Sequence, residues 1–78
     1  MRILLFAHLK DAVGQQQIEL QTGRVNSDSL WRKLITAHPE LEPFRGSVRL
    51  AKNFEYAGSE TIFDDVDEVA LIPPVSGG

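Results

Sequence analysis

Asp67-Glu68-Val69-Ala70-Leu71-Ile72-Pro73-Pro74-Val75-Ser76-Gly77-Gly78 holds a strand, its termination and a stiff tail in one run, and its reading decides the fold. Glu68 to Ile72 is aliphatic and short, as a strand requires, and Pro73-Pro74 closes it. Two prolines remove consecutive N–H donors and favour extended backbone, so residues 73–78 are predicted to lift away from the body instead of continuing the sheet. The chain therefore divides into a domain over residues 1–72 and a carboxyl tail over residues 73–78. Upstream, Asp64-Asp65-Val66-Asp67 reads as the turn that feeds the strand.

The opposite end supplies a partner for this strand. Arg2 to Lys10 is rich in aliphatic and aromatic residues and is predicted to be the first strand, stopping at Asp11-Ala12-Val13-Gly14, where glycine can take a positive φ. Gln15 to Gln21, with Ile18 and Leu20 at period two, is predicted to pair back as the second strand of a hairpin. Asn26-Ser27-Asp28-Ser29 offers several N-caps, and Leu30, Trp31, Leu34 and Ile35 recur at helical spacing up to His38, where Pro39 enforces an end. Glu40 to Gly46 reads as a loop, Val48 to Lys52 as a short strand, and Asn53 as the start of a turn. Tyr56 to Ser59 and Thr61 to Phe63 fit either a brief strand or a helical turn. The order β-β-α-β-(short β)-β with one main helix implies an α+β roll: a mixed sheet of four to five strands crossed by a helix, its first and last strands central and parallel.

Alternation assigns faces. Ile3, Leu5, Ala7 and Leu9 fall on one side of the first strand and Leu4, Phe6 and His8 on the other. The aliphatic set is expected to meet the helix, together with Val69 and Leu71. Leu4, Phe6, Ala70 and Ile72 then share the far face, and such an apolar patch on a small domain points to a protein partner.

Composition narrows the function. A chain of 78 residues holds one compact domain. Hydrophobic residues at 42% are too many for a disordered chain. The formal net charge of −3, with scattered lysines and arginines, lacks the basic stripe of a nucleic-acid binder. The amino-terminal apolar run is cut after Ala7 by His8, Lys10 and Asp11, so it reads as a strand and not as a signal peptide, and nothing approaches the ~20 apolar residues of a membrane span. Without cysteine there is no disulfide, thiolate ligand or cysteine nucleophile, and a cytoplasmic location is expected. His8 and His38 lie far apart with no Ser or Asp constellation, which argues against a hydrolytic triad. Asp64, Asp65, Asp67 and Glu68 lack the glycine and spacing of a calcium loop and read as a solvated turn, so no metal site is expected. Trp31, Leu34 and Ile35 are core residues of the helix.

The tail carries the remaining chemistry. Its six residues reach roughly 20 Å when extended at ~3.3 to 3.6 Å per residue, enough to thread a channel in another protein. Gly77 and Gly78 present no side chain to obstruct such a channel. At ordinary glycine usage a Gly-Gly ending arises by chance in roughly 0.5% of proteins. Activation of the Gly78 α-carboxylate to an acyl adenylate would create a good leaving group, and attack by a sulfur nucleophile would yield a thiocarboxylate.

The carboxyl run from Asp67 to Gly78, with Arg2-Ile3-Leu4-Leu5-Phe6-Ala7 and Asn53 before a turn, resembles the small, sulfur-carrier subunit family of molybdopterin synthase. The layout matches over nearly the whole chain, and the specific match lies in the last twelve residues. The resemblance implies the ubiquitin-like β-grasp fold. It implies that an E1-like activating enzyme adenylates Gly78 with ATP, that a sulfur donor protein supplies the sulfur, and that Pro73, Pro74, Val75, Ser76 and Gly77 thread into the large synthase subunit. Sulfur would pass there to cyclic pyranopterin monophosphate, within an expected heterotetramer, and no permanently bound cofactor is implied. By position Phe6 and Ile72, and also Tyr56, match partner-contacting apolar residues. Two positions depart from the pattern: Val66 replaces glycine in an Asp-Gly-Asp-Glu turn, and Lys52 replaces valine in Ala-Val-Asn. Val66 requires that the turn avoid positive φ or absorb strain. The alternatives are a sulfur carrier for thiamine or tRNA thiolation, which would usually lack Pro-Pro-Val-Ser before the glycines, and a non-catalytic β-grasp binding module with an inert tail.

Overall fold

A computed structural model describes residues 1–74 and contains a five-stranded mixed sheet in the order β2-β1-β5-β3-β4. The strands are β1 (Arg2–Leu5), β2 (Gln17–Glu19), β3 (Arg49–Lys52), β4 (Glu55–Tyr56) and β5 (Glu68–Ile72), with helices α1 (Ala7–Val13) and α2 (Ser27–Ala37) and a 3-10 helix over Pro39–Phe44. β5 runs parallel to β1, pairing Ile3 with Val69 and Leu5 with Leu71. It runs antiparallel to β3, pairing Leu50 with Leu71 and Ala51 with Ala70. The last strand thus sits at the centre of the sheet with the first beside it, as the sequence predicts.

One face of the sheet carries the core. Ile3, Leu5, Val69 and Leu71 are buried there with Leu30, Trp31 and Leu34 of α2, and Leu9, Leu41 and Phe63 close the ends. Each such side chain contributes about 1.5–3 kcal/mol by leaving water. α2 begins where its cap dictates: the Asn26 side-chain oxygen accepts from the Ser29 N–H at 2.9 Å. It ends at His38, whose N–H donates to the Leu34 carbonyl at 2.7 Å before Pro39 blocks a further turn.

Three local expectations are corrected. The first strand does not run from Arg2 to Lys10. It stops at Leu5, and residues 7–13 form α1, so His8 is an exposed helix residue and lies on no sheet face. Leu5, Leu9 and Val13 recur at i+4, a spacing that suits a helix, whereas Leu5 and Leu9 also fit the alternation of a strand; the pattern is degenerate. Helix geometry prevails because Gly14, at φ 81°, provides a left-handed cap whose N–H donates to the Lys10 carbonyl at 2.8 Å. β2 still pairs antiparallel with β1, but a helix replaces the predicted hairpin turn between them and β2 is shorter than predicted. Glu40 to Gly46, predicted as a loop, overlaps the 3-10 helix: Leu41 and Phe44 stand three residues apart, the repeat of that helix, and Leu41 is fully buried. The ambiguous segment resolves into the two-residue β4 and an isolated bridge between Val25 and Phe63. The result is the α+β, ubiquitin-like β-grasp roll expected from the sequence.

Candidate functional site: the open sheet face and the root of the tail

The register of the sheet arranges its outer face in rows. Glu19, Arg2 and Glu68 form the first, since β1 pairs Arg2 with both. Leu4, Ala70, Ala51 and Tyr56 form the second. Ile72 and Arg49 form the third, at the end from which the chain leaves β5. Phe6, the first residue after β1, lines the same groove as Leu4, Ala51, Phe54, Tyr56, Glu68, Ala70 and Ile72. Among the described residues the aromatic side chains of this groove stay open to solvent: Phe6 is 44% exposed, Tyr56 61% and Phe54 91%. The predicted outer face of Leu4, Phe6, Ala70 and Ile72 therefore exists, and Tyr56 belongs to it.

Charge is distributed unevenly around this floor. Arg2 at the first row donates to the Glu68 carboxylate at 3.1 Å and is neutralised within the chain. Arg49 at the third row lies with its guanidinium carbon 4.1 Å from the centre of the Tyr56 ring, a cation–π stack. Sequence reasoning did not single out Arg49 or Phe54. Phe54 follows Asn53 at the tip of the β3–β4 hairpin, a bulky residue where the turn chemistry favours glycine, and that mismatch was its available signal.

The hairpin is anchored by polar contacts below the groove. Asn53 N–H donates to the Glu68 carbonyl at 2.8 Å, and its side chain accepts from Glu68 N–H at 3.0 Å while donating to Asp67 at 3.0 Å. Asp67 also accepts from Asp64 N–H at 2.8 Å and lies 3.6 Å from the Lys52 ammonium. Burial alone pushes the Asp67 carboxyl up, but these hydrogen bonds and the Lys52 charge outweigh it and hold it below the usual carboxylate range. Lys52 also donates to the Ile62 carbonyl at 2.7 Å, so its charge is used within the fold. Asp65 accepts from Thr22 N–H at 2.7 Å and Gly23 N–H at 3.1 Å, and the Thr22 bond is the main reason its carboxyl is held low. Val66 is exposed at the turn and has no positive φ. Among the described residues, no group of three or more His, Cys, Asp or Glu side chains is arranged to hold a metal ion.

Pro73 is half-buried beside the end of β5 and Pro74 is exposed. Val75, Ser76, Gly77 and Gly78, the remainder of the predicted threading segment and its reactive terminus, lie outside the described residues. No helix among the described residues is long and apolar enough to cross a membrane.

The pattern of the ThiS family matches residues 3–78. The chain belongs to the ThiS family. It is 36% identical over 80 residues to the molybdopterin synthase sulfur carrier subunit of Arabidopsis thaliana, covering 100% of this chain and 82% of the relative. The corresponding subunit of Dictyostelium discoideum is 37% identical over 81 residues, covering 99% of this chain and 94% of the relative. Small archaeal modifier protein 1 of Haloferax volcanii has the same fold, with a TM-score of 0.83 at 28% identity over 99% of this chain and 97% of that one. The resemblance carried by the last twelve residues thus extends over the full chain, and the relatives it is similar to include molybdopterin synthase sulfur carrier subunits.

Proposed function

We propose that this chain is a sulfur carrier in molybdenum cofactor biosynthesis, acting as the small subunit of a heteromeric molybdopterin synthase and having no active site of its own. The observation that carries the reading is the continuity between the open apolar face and the root of the tail, in a chain of this family. Phe6, Ile72 and Tyr56 would hold the face against the large subunit. Pro73 and Pro74 would direct Val75, Ser76, Gly77 and Gly78 into its pocket.

An E1-like enzyme would transfer AMP from ATP to the Gly78 carboxylate and release pyrophosphate. Sulfur at the sulfide level, delivered by a donor protein, would attack the carbonyl and displace AMP, leaving a thiocarboxylate. In the large subunit the terminal sulfur would pass to cyclic pyranopterin monophosphate, and water would restore the carboxylate. The division of labour follows from the chemistry: the carrier supplies an activated atom on a slender arm, and the partner supplies the groups that orient and exclude water.

Intact mass measurement after incubation with a cognate activating enzyme, ATP and a sulfur donor tests the reading, with fragmentation to locate the change. Exchange of one oxygen for sulfur on Gly78 is the expected result. An unchanged mass, with the activating enzyme competent on another carrier, would transfer support to a binding module with an inert tail.

A further inference from the structure

Arg49 stands apart from the other charges of the sheet face. Arg2 is paired with Glu68, whereas among the described residues no carboxylate pairs with Arg49. Its register partner on β5 is Ile72, the last strand residue before Pro73, so the cation sits at the edge where the tail departs. The guanidinium carbon lies 4.1 Å from the centre of the Tyr56 ring, a stack that restrains the side chain, and the residue is exposed. An apolar floor with a fixed, uncompensated cation at one end is asymmetric, and a partner covering that floor must either leave Arg49 in water or supply an acceptor for it. Covering the charge without an acceptor would cost far more than the contact gains.

We propose that Arg49 is a specificity contact of the docking face, and that the protein which receives the tail carries a carboxylate at the rim of its tail channel that pairs with this guanidinium. The proposal rests on the carrier reading and adds to it the charge chemistry of the partner's surface. The carboxylate would be bidentate, because the planar fork matches two oxygens, and the Tyr56 stack would fix its approach. Charge pairing at this end would orient the tail toward the channel, since the opposite row, Glu19, Arg2 and Glu68, has no free cation and a net negative charge.

The test is titration of purified large synthase subunit with the full chain and with Arg49→Lys, Arg49→Gln and Arg49→Glu, each at low and high salt. Circular dichroism melts establish folding, and Arg49 is exposed, so all variants should melt close to the parent. Arg49→Gln is expected to weaken binding about thirtyfold or more, the range of an interfacial arginine anchor. Arg49→Lys should recover part of that loss, and Arg49→Glu should bind worst and gain affinity as salt rises. A charge-reversing substitution of the facing partner carboxylate should restore Arg49→Glu. Equal binding by all four chains would overturn the inference while leaving the carrier reading intact, as would a loss that salt and charge reversal do not influence. Failure of the unsubstituted chain to bind the large subunit would instead remove the carrier reading, and the inference with it.

Discussion

Phe54 occupies the second position of the two-residue β3–β4 turn at φ 73°, after Asn53 at φ 48°. Both values belong to the hairpin turn that Asn-Gly satisfies without strain, and a bulky residue in left-handed backbone costs about 1–2 kcal/mol. Phe54 is also 91% exposed, so the isolated domain gains almost nothing from its ring. Phe54→Gly should therefore raise stability by about 1 kcal/mol. For a chain of this size that moves the melting temperature up by about 4–8 °C. The same variant should bind the large subunit less tightly if the ring is a docking anchor; a lower melting temperature would refute the strain argument. Asp67 illustrates the opposite economy, a carboxylate held by donors from Asn53 and Asp64 and by the Lys52 charge. Its folded-state pKa is depressed, so its contribution is fully present above the unfolded value near 3.9 and is lost as pH falls through the folded value. Asp65 titrates in the same direction. Thermal melts across pH should show a plateau near neutrality and a decline below about pH 4. Asp67→Asn should melt lower at pH 7 and show a shallower acid decline than the parent.

At the scale of elements, the segment after β1 is the informative one. Leu9 is fully buried in α1, and the alternation of an extended segment would also assign it to the core side, so its apolar character does not choose between them. Gly14 does, by accepting φ 81° and closing α1. No atom lies within 4 Å of the position a Cβ would take there, so Gly14→Ala adds backbone strain without a clash. It should cost about 1 kcal/mol, read as a lower denaturant midpoint at unchanged slope. α2, by contrast, was legible in full: an Asn26 cap, apolar residues at helical spacing and Pro39 beyond the end are local signals that agree with one another. β5 was legible for the same reason, because prolines at its end and a turn at its start leave no alternative register.

For the whole molecule, the core and the proposed docking surface lie on opposite faces of one sheet. Ile3, Leu5, Val69 and Leu71 hold the domain together against α2, while Leu4, Phe6, Ala70 and Ile72 remain available on the other side. Phe6→Arg should consequently leave the circular dichroism spectrum unchanged yet abolish binding to the large subunit in a titration. Deletion of Gly77-Gly78 should do the reverse, preserving docking and eliminating sulfur transfer. Unfolding of Phe6→Arg would contradict the assignment of faces. By itself the sequence determined the roll, the central pairing of first and last strands and the apolar outer face, because period-two alternation, capping residues and proline stops are written in neighbouring positions. Only the tertiary structure decided where β1 ends, that Arg49 stacks on Tyr56 beside the root of the tail, and that Asp67, Asn53 and Lys52 share one network. These depend on which residues distant in sequence become neighbours across the sheet, and strand register, which sets those neighbours, is a property of the assembled fold.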